Sequence, residues 1–135
     1  MPKLRLLSAI IEPMGGFDLE DRLVAFAITI LNTTDRLPKN VNGRVLANQL
    51  ARSGTSAALH YGEAQAAESR KDFIHKMKVV LKELRETSIC LKLIERTGIL
   101  NNQVNLEQIQ QECHELIFIF LSSIKTAERN LRNNS

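Results

Sequence analysis

The chain is predicted to fold as an all-α, antiparallel up-down-up-down four-helix bundle. Apolar residues recur at three- and four-residue spacing in four successive segments, helix-starting residues stand just ahead of those segments, and nothing alternates with the period of a strand. Composition agrees: of 135 residues, 44% are hydrophobic but only 4% aromatic, with no Trp. The core must then be aliphatic and alanine-rich, which suits packed helices. Three prolines and six glycines leave few interruptions, and a domain of this length buries a core without metal or disulfide staples.

Residues 1–16 read as an N-terminal tail closed by Met14-Gly15-Gly16, residues 17–131 as the bundle, and residues 132–135 as a C-terminal tail. The first helix starts at Asp18, a side chain suited to the N-cap, with Glu20 and Asp21 favourably placed for the helix dipole. Leu23, Phe26, Ala27, Ile30 and Leu31 mark its apolar positions, and it ends before Leu37-Pro38 because Pro38 biases Leu37 away from helical geometry. A linker, PKNVNG, leads to a second helix from Arg44 to Ala67. The third begins at the N-cap Ser69 and runs to Arg96, with Gly98 as its stop. No helix breaker follows Gly62, so the second and third helices could be one bent rod or two abutting ones. The fourth is capped by Asn105, with Gln108 three residues on. It carries Ile109, Leu116, Phe120 and Ile124 as its core stripe, flanked by Cys113, Ile117 and Leu121, and frays into RNLRNNS.

The second helix contains an unusually thin stretch, RSGTSAALHYGEA. At about 100° per residue, Ala47, Ala51, Gly54 and Ala58 fall on one narrow strip. Leu46, Leu50, Ala57 and Tyr61 lie beside it as the bulkier part of the buried face, and Asn48, Arg52, Thr55, Ser56 and Glu63 take the opposite side. Such small residues let a second helix come closer than the usual spacing of about 8–10 Å, which offsets the intrinsic cost of glycine at position 54. The strip is either an ordinary alanine-rich core face or a seam between subunits.

The third helix sorts charge by face. Phe73, Met77, Val80, Leu84 and Leu91 mark its core, with Leu81 alongside. About 120° round lie Lys71, Lys78, Lys82, Arg85, Lys92 and Arg96, six of the helix's eight basic residues, and a further turn round lie Asp72, Glu83 and Glu86. Residues three, four or seven apart on the basic strip are mostly like-charged, so it is not neutralised along its own length. It is either a solvated polar face or a surface for an acidic face of another subunit or for nucleic-acid phosphates. Ile89, Cys90 and Leu93 lie outside the core stripe and suggest a subunit contact near the helix's end.

No sequence pattern for chemistry appears. His60, His75 and His114 share no metal-ligand spacing, and the adjacent Cys113 and His114 project about 100° apart. Phosphate loops, dinucleotide fingerprints, nucleophile elbows and zinc-protease motifs are absent. Neither Glu112-Cys-His-Glu nor His60 with Glu63 matches the Glu-x-x-His pattern of di-iron bundles. The expectation is therefore no enzyme, no metal and no cofactor. Cys90 and Cys113 lack CxxC spacing and are expected as packed thiols. No apolar run approaches the roughly 18 residues of a membrane span, and LLSAII (residues 6–11) lacks the length and cleavage site of a signal peptide. No membrane is expected as a partner, and a cytoplasmic location is.

Residues 49–87, QLARSGTSAALHYGEAQAAESRKDFIHKMKVVLKELRET, resemble the family of four-helix-bundle proteins encoded by intervening sequences in bacterial 23S ribosomal RNA genes. The resemblance rests on Arg52-Ser-Gly-Thr-Ser56, Glu63-Ala64, Glu68-Ser69, Asp72-Phe-Ile-His75 and Lys82-Glu-Leu-Arg-Glu-Thr87, with DLEDRLVAFAITILNTTDRLP fitting the first helix. The chain departs from the family's pattern at Ala57, Ala58, His60, Ile89 and Cys90. The resemblance implies an antiparallel bundle that assembles as a homo-oligomeric ring, commonly a pentamer, with no established catalysis. A related group, the accessory variability proteins of diversity-generating retroelements, works with a reverse transcriptase and nucleic acid. That company fits the basic strip, while a purely structural self-assembling module is the alternative.

Overall fold

The computed structural model describes residues 18–100 and 104–134; the tail assigned to residues 1–16 lies outside the described residues. Four helices follow one another: α1 (Leu19–Thr34), α2 (Val41–Gln65), α3 (Arg70–Thr97) and α4 (Leu106–Asn133), with no strand among the described residues. The protein is an all-α bundle.

Each start is set by a side chain that accepts from an otherwise unpaired amide of the first turn. Asp18 accepts from the Asp21 amide at 2.7 Å, Asn40 from Gly43 at 2.8 Å, Ser69 from Asp72 at 3.0 Å and Asn105 from Gln108 at 3.1 Å. Gly98 closes α3 in the left-handed region, φ 64°, which glycine adopts without a Cβ penalty.

Two boundaries differ from the sequence expectation, and the structure decides one junction that the sequence leaves open. α2 begins at Val41, not Arg44, because Asn40 caps it. Gly43 then sits inside the first turn, where an added Cβ would overlap the Pro38 carbonyl. The second and third helices are two rods: α2 closes on an Ala66 amide bonded to the Glu63 carbonyl at 3.1 Å, and Ser69 restarts the helix. α4 does not fray at RNLRNNS but continues to Asn133, because Ala127 and Leu131 still pack against the core.

α2 packs extensively on both α1 and α3, and α3 on α4, whereas α1 and α4 meet only thinly. That last seam is clasped by Arg22, which donates to both carboxylate oxygens of Glu112 at 2.9 and 2.7 Å. The hydrogen bond raises the pKa of the Arg22 guanidinium. The core holds Leu23, Phe26 and Ile30 of α1; Leu50, Ala57 and Tyr61 of α2; Phe73, Met77, Val80, Leu84 and Leu91 of α3; and Ile109, Leu116 and Phe120 of α4. Tyr61 meets Phe120 edge-on, ring centroids 5.8 Å apart. Leu31, expected in the core, is 44% exposed on the flank of α1.

The thin stretch of α2 meets both neighbours. A Cβ on Gly54 would stand 2.8 Å from Ile30 Cγ2, so the Gly54 contact is made inside one chain, against α1. Ala47, Ala51 and Ala58 border it and are half-buried. Ser53, one step round, turns to α3: the buried Thr87 Oγ1 donates to Ser53 Oγ at 2.8 Å, with the Glu83 carbonyl an alternative acceptor at the same distance.

Both cysteines are free and buried. Cys113 Sγ donates to the Leu84 carbonyl at 3.3 Å, and burial pushes its thiol up to about 12. Cys90, expected outside the core stripe, is instead packed inside, 3.6 Å from the Leu46 carbonyl. α2 covers that flank of α3, a rotation that spacing on α3 alone does not contain. Ser123 Oγ is buried with no hydrogen-bond partner among the described residues.

Replacing Gly43 by Ala should destabilise the fold by about 1–3 kcal/mol despite alanine's better helix propensity, because the obstruction is backbone; urea denaturation measures it. Ser123→Ala should leave stability unchanged or raise it by up to about 1 kcal/mol, since it removes a hydroxyl that folding desolvates without compensation. Tyr61 is pushed up to about 12 by burial, as is Cys113. The unfolded chain then releases protons that the folded chain retains, so stability should fall as pH rises from about 9 towards 12. Thermal melts across that range test the sign.

Candidate interaction surface

Arg52 is placed by the thin helix where α2 faces the edge of α3. Helical spacing alone puts it on the solvent side of α2, opposite the core. The structure instead brings it to two acids of α3, at 3.3 Å from Glu83 Oε2 and 2.5 Å from Glu86 Oε2. Its guanidinium pKa is raised, first by the hydrogen bond to Glu86 and then by the Glu83 charge. Glu83 is buried, with 6% of its surface exposed; a carboxylate so placed needs a charged partner. The third member of the acidic strip, Asp72, accepts from Lys76 Nζ at 3.0 Å, and this bond lowers its pKa. All three acids are thus engaged within the chain.

The basic strip has a different fate. Lys71, Lys78, Lys82, Arg85, Lys92 and Arg96 are all exposed. Lys78 reaches Glu128 of α4 at 3.2 Å. The other five have no carboxylate within ion-pair distance among the described residues. These five cations on one helix face form a positive stripe that folding of the described residues does not neutralise.

Beside the stripe runs a groove of about 710 Å³ between α2 and α3. Val45, Leu46 and Gln49 line it from α2; Lys78, Lys82, Arg85, Ile89 and Leu93 line it from α3, with the Arg52–Glu86 pair along its course. Its two ends differ. The end near the start of α3 is basic, whereas the other is apolar, with Val45 and Ile89 each 55% exposed and Leu93 50% exposed. Sequence spacing locates Ile89 and Leu93 as apolar groups outside the core. It leaves Val45 unassigned, because the faces read on this helix begin with Leu46 and Ala47.

The histidines do not converge. His60 Nδ1 is 3.3 Å from Glu63, His114 Nε2 is 3.3 Å from Ser88, and His75 is exposed. No group of three His, Cys, Asp or Glu side chains able to hold a metal occurs among the described residues. No helix of the described residues is long and apolar enough to cross a membrane.

A four-helix bundle of this length, with RSGTS at the centre of α2 and DFIH opening α3, defines a class. The family model of 23S rRNA-intervening sequence proteins matches residues 19–121, and the chain belongs to that family. A crystal structure of a protein of unknown function from the S23 ribosomal protein family of Bacteroides thetaiotaomicron VPI-5482 is similar at 35% identity. The match covers 78% of this chain and 97% of that one, with a TM-score of 0.72. No curated protein matches.

Replacing Arg52 by Ala should strand the Glu83 carboxylate and lower the melting temperature. Adding Glu83→Gln to that background should recover part of the loss, since a neutral amide needs no cation. Equal melting temperatures for Arg52→Ala and the parent would contradict the pairing.

Proposed function

We propose that the chain is a non-enzymatic, self-assembling helical scaffold whose α3 face binds the phosphates of nucleic acid. The observation that carries this reading is the contrast on α3. Asp72, Glu83 and Glu86 are bound to Lys76 and Arg52, while Lys71, Lys82, Arg85, Lys92 and Arg96 have no carboxylate partner among the described residues. An acidic strip already paired with Arg52 and Lys76 is a poor receptor for a neighbour's lysines, so the basic strip is better matched to phosphate. Copies arranged round a ring, as the family resemblance implies, would multiply a mild stripe into a strong field. A reverse transcriptase carrying nucleic acid is the kind of enzyme such a scaffold would serve.

Association should tolerate sequence and weaken steeply with salt. Reversing Lys78, Lys82 and Arg85 together to Glu should reduce retention of duplex DNA or RNA at low salt by tenfold or more. It should also flatten the slope of log affinity against log salt by about 1 for each phosphate no longer engaged. Electrophoretic mobility and filter binding measure both. Unchanged retention would overturn phosphate binding and leave the second reading, a self-assembling module without nucleic acid, which the exposed apolar end of the groove favours.

A further inference from the structure

Two of the exposed apolar features of the described residues lie on different parts of this molecule and differ in the charge around them. One is the apolar end of the α2/α3 groove, formed by Val45, Ile89 and Leu93. The other is Phe118, 67% exposed on α4, whereas Phe26, Phe73 and Phe120 are buried. α4 packs on α3, and α2 and α4 are not an extensively packed pair. At about 100° per residue, position 118 lies on the side of α4 away from the Leu116–Phe120 core stripe. Both features are therefore available on one copy at the same time.

Their surroundings are opposite in charge. Over the three turns before Phe118, α4 carries Glu107, Glu112 and Glu115 and no Lys or Arg, and the exposed Lys125 follows two turns after it. Glu115, one turn before Phe118, is held only loosely, 3.7 Å from Arg22, with half of its side chain exposed. α3 carries eight basic and four acidic residues, and Arg85 and Lys92 flank Ile89 without a carboxylate partner among the described residues. A two-fold contact of Phe118 with Phe118 brings no basic residue of the groove to Glu115. A two-fold contact of groove with groove brings no Glu115 to Arg85 and Lys92. A head-to-tail contact faces Glu115 with Arg85 and Lys92, and opposite charges across an interface favour that arrangement.

We propose that Phe118 of one copy seats in the Val45–Ile89–Leu93 end of the next copy's groove. This inference rests on the self-assembly reading above and names its contact. An aromatic anchor in an apolar pocket, rimmed by charge pairs, is the arrangement that concentrates interface energy. Because the two surfaces differ, the contact repeats from copy to copy and closes as a ring when the rotation allows. The basic end of the groove, with Lys78 and Lys82, stays open for a polyanion.

The test uses two variants altered only at exposed positions: Ile89→Glu with Leu93→Glu, and Phe118→Glu. Circular dichroism confirms that each remains helical, and Val45→Asp replaces the first if it does not. Light scattering should show each variant falling from the multimer to the single-chain mass of 15.2 kDa. An equimolar mixture should then form a two-chain species and stop there, because only one intact groove and one intact Phe118 remain to meet. Retention of the parent mass by either variant, or a mixture that stays single-chain, overturns the proposal while self-assembly itself stands. A parent protein of single-chain mass at every concentration would instead refute self-assembly, and this contact with it.

Discussion

The close approach of α1 and α2 at Gly54 is the constraint on which the rest of the bundle depends. An ordinary side chain there would occupy the space of Ile30. Three consecutive residues exploit the resulting geometry. Successive helical positions point about 100° apart, so Arg52 reaches the rim of α3, Ser53 its buried Thr87, and Gly54 the flank of α1. Were α2 displaced outward by a larger residue at 54, the Ser53–Thr87 bond and the cation over Glu83 would have to shift with it. Packing, a buried hydroxyl pair and a charge pair are thereby coupled through one turn of helix.

That coupling also decides which charges remain available. Arg52 pairs with the buried Glu83 and the part-exposed Glu86, and Lys76 occupies Asp72. The acidic strip of α3 is consumed in holding the molecule together, while most of the basic strip is left over. Apart from the exposed Glu95 near its end, a helix that carries both signs in sequence thus becomes one-sided in the folded chain. The groove beside it inherits the asymmetry, with lysines and arginine along one end and exposed aliphatic groups at the other.

Much of this is legible in the sequence where the determinants are local. The caps Asp18, Ser69 and Asn105, the stop at Gly98 and the core stripes of α3 and α4 follow from chemistry within one turn, and the structure places them where their spacing does. The exposure of the basic strip is equally a property of one helix. What the sequence hides depends on how one helix is rotated against another. Cys90 is buried because α2 covers that flank of α3, and Arg52 is engaged for the same reason. Gly43 reads as linker because its demand comes from the Pro38 carbonyl, a contact that exists only once Asn40 has started the helix. Spacing alone separates Phe118 from Phe120, since position 118 falls opposite the stripe of Ile109, Leu116 and Phe120. Whether that side of α4 stays uncovered depends on where the other helices pack.

The most direct measurement is a double-mutant cycle between Gly54 and Ile30. Gly54→Leu should destabilise by overpacking and Ile30→Ala by leaving a cavity of its own, the latter by about 2–5 kcal/mol. If the two positions touch as described, the leucine fills the space that isoleucine vacates, and the double variant is more stable than the sum of the single effects by at least about 1 kcal/mol. Strict additivity, or a Gly54→Leu protein that melts with its parent, would contradict the close approach of α1 and α2.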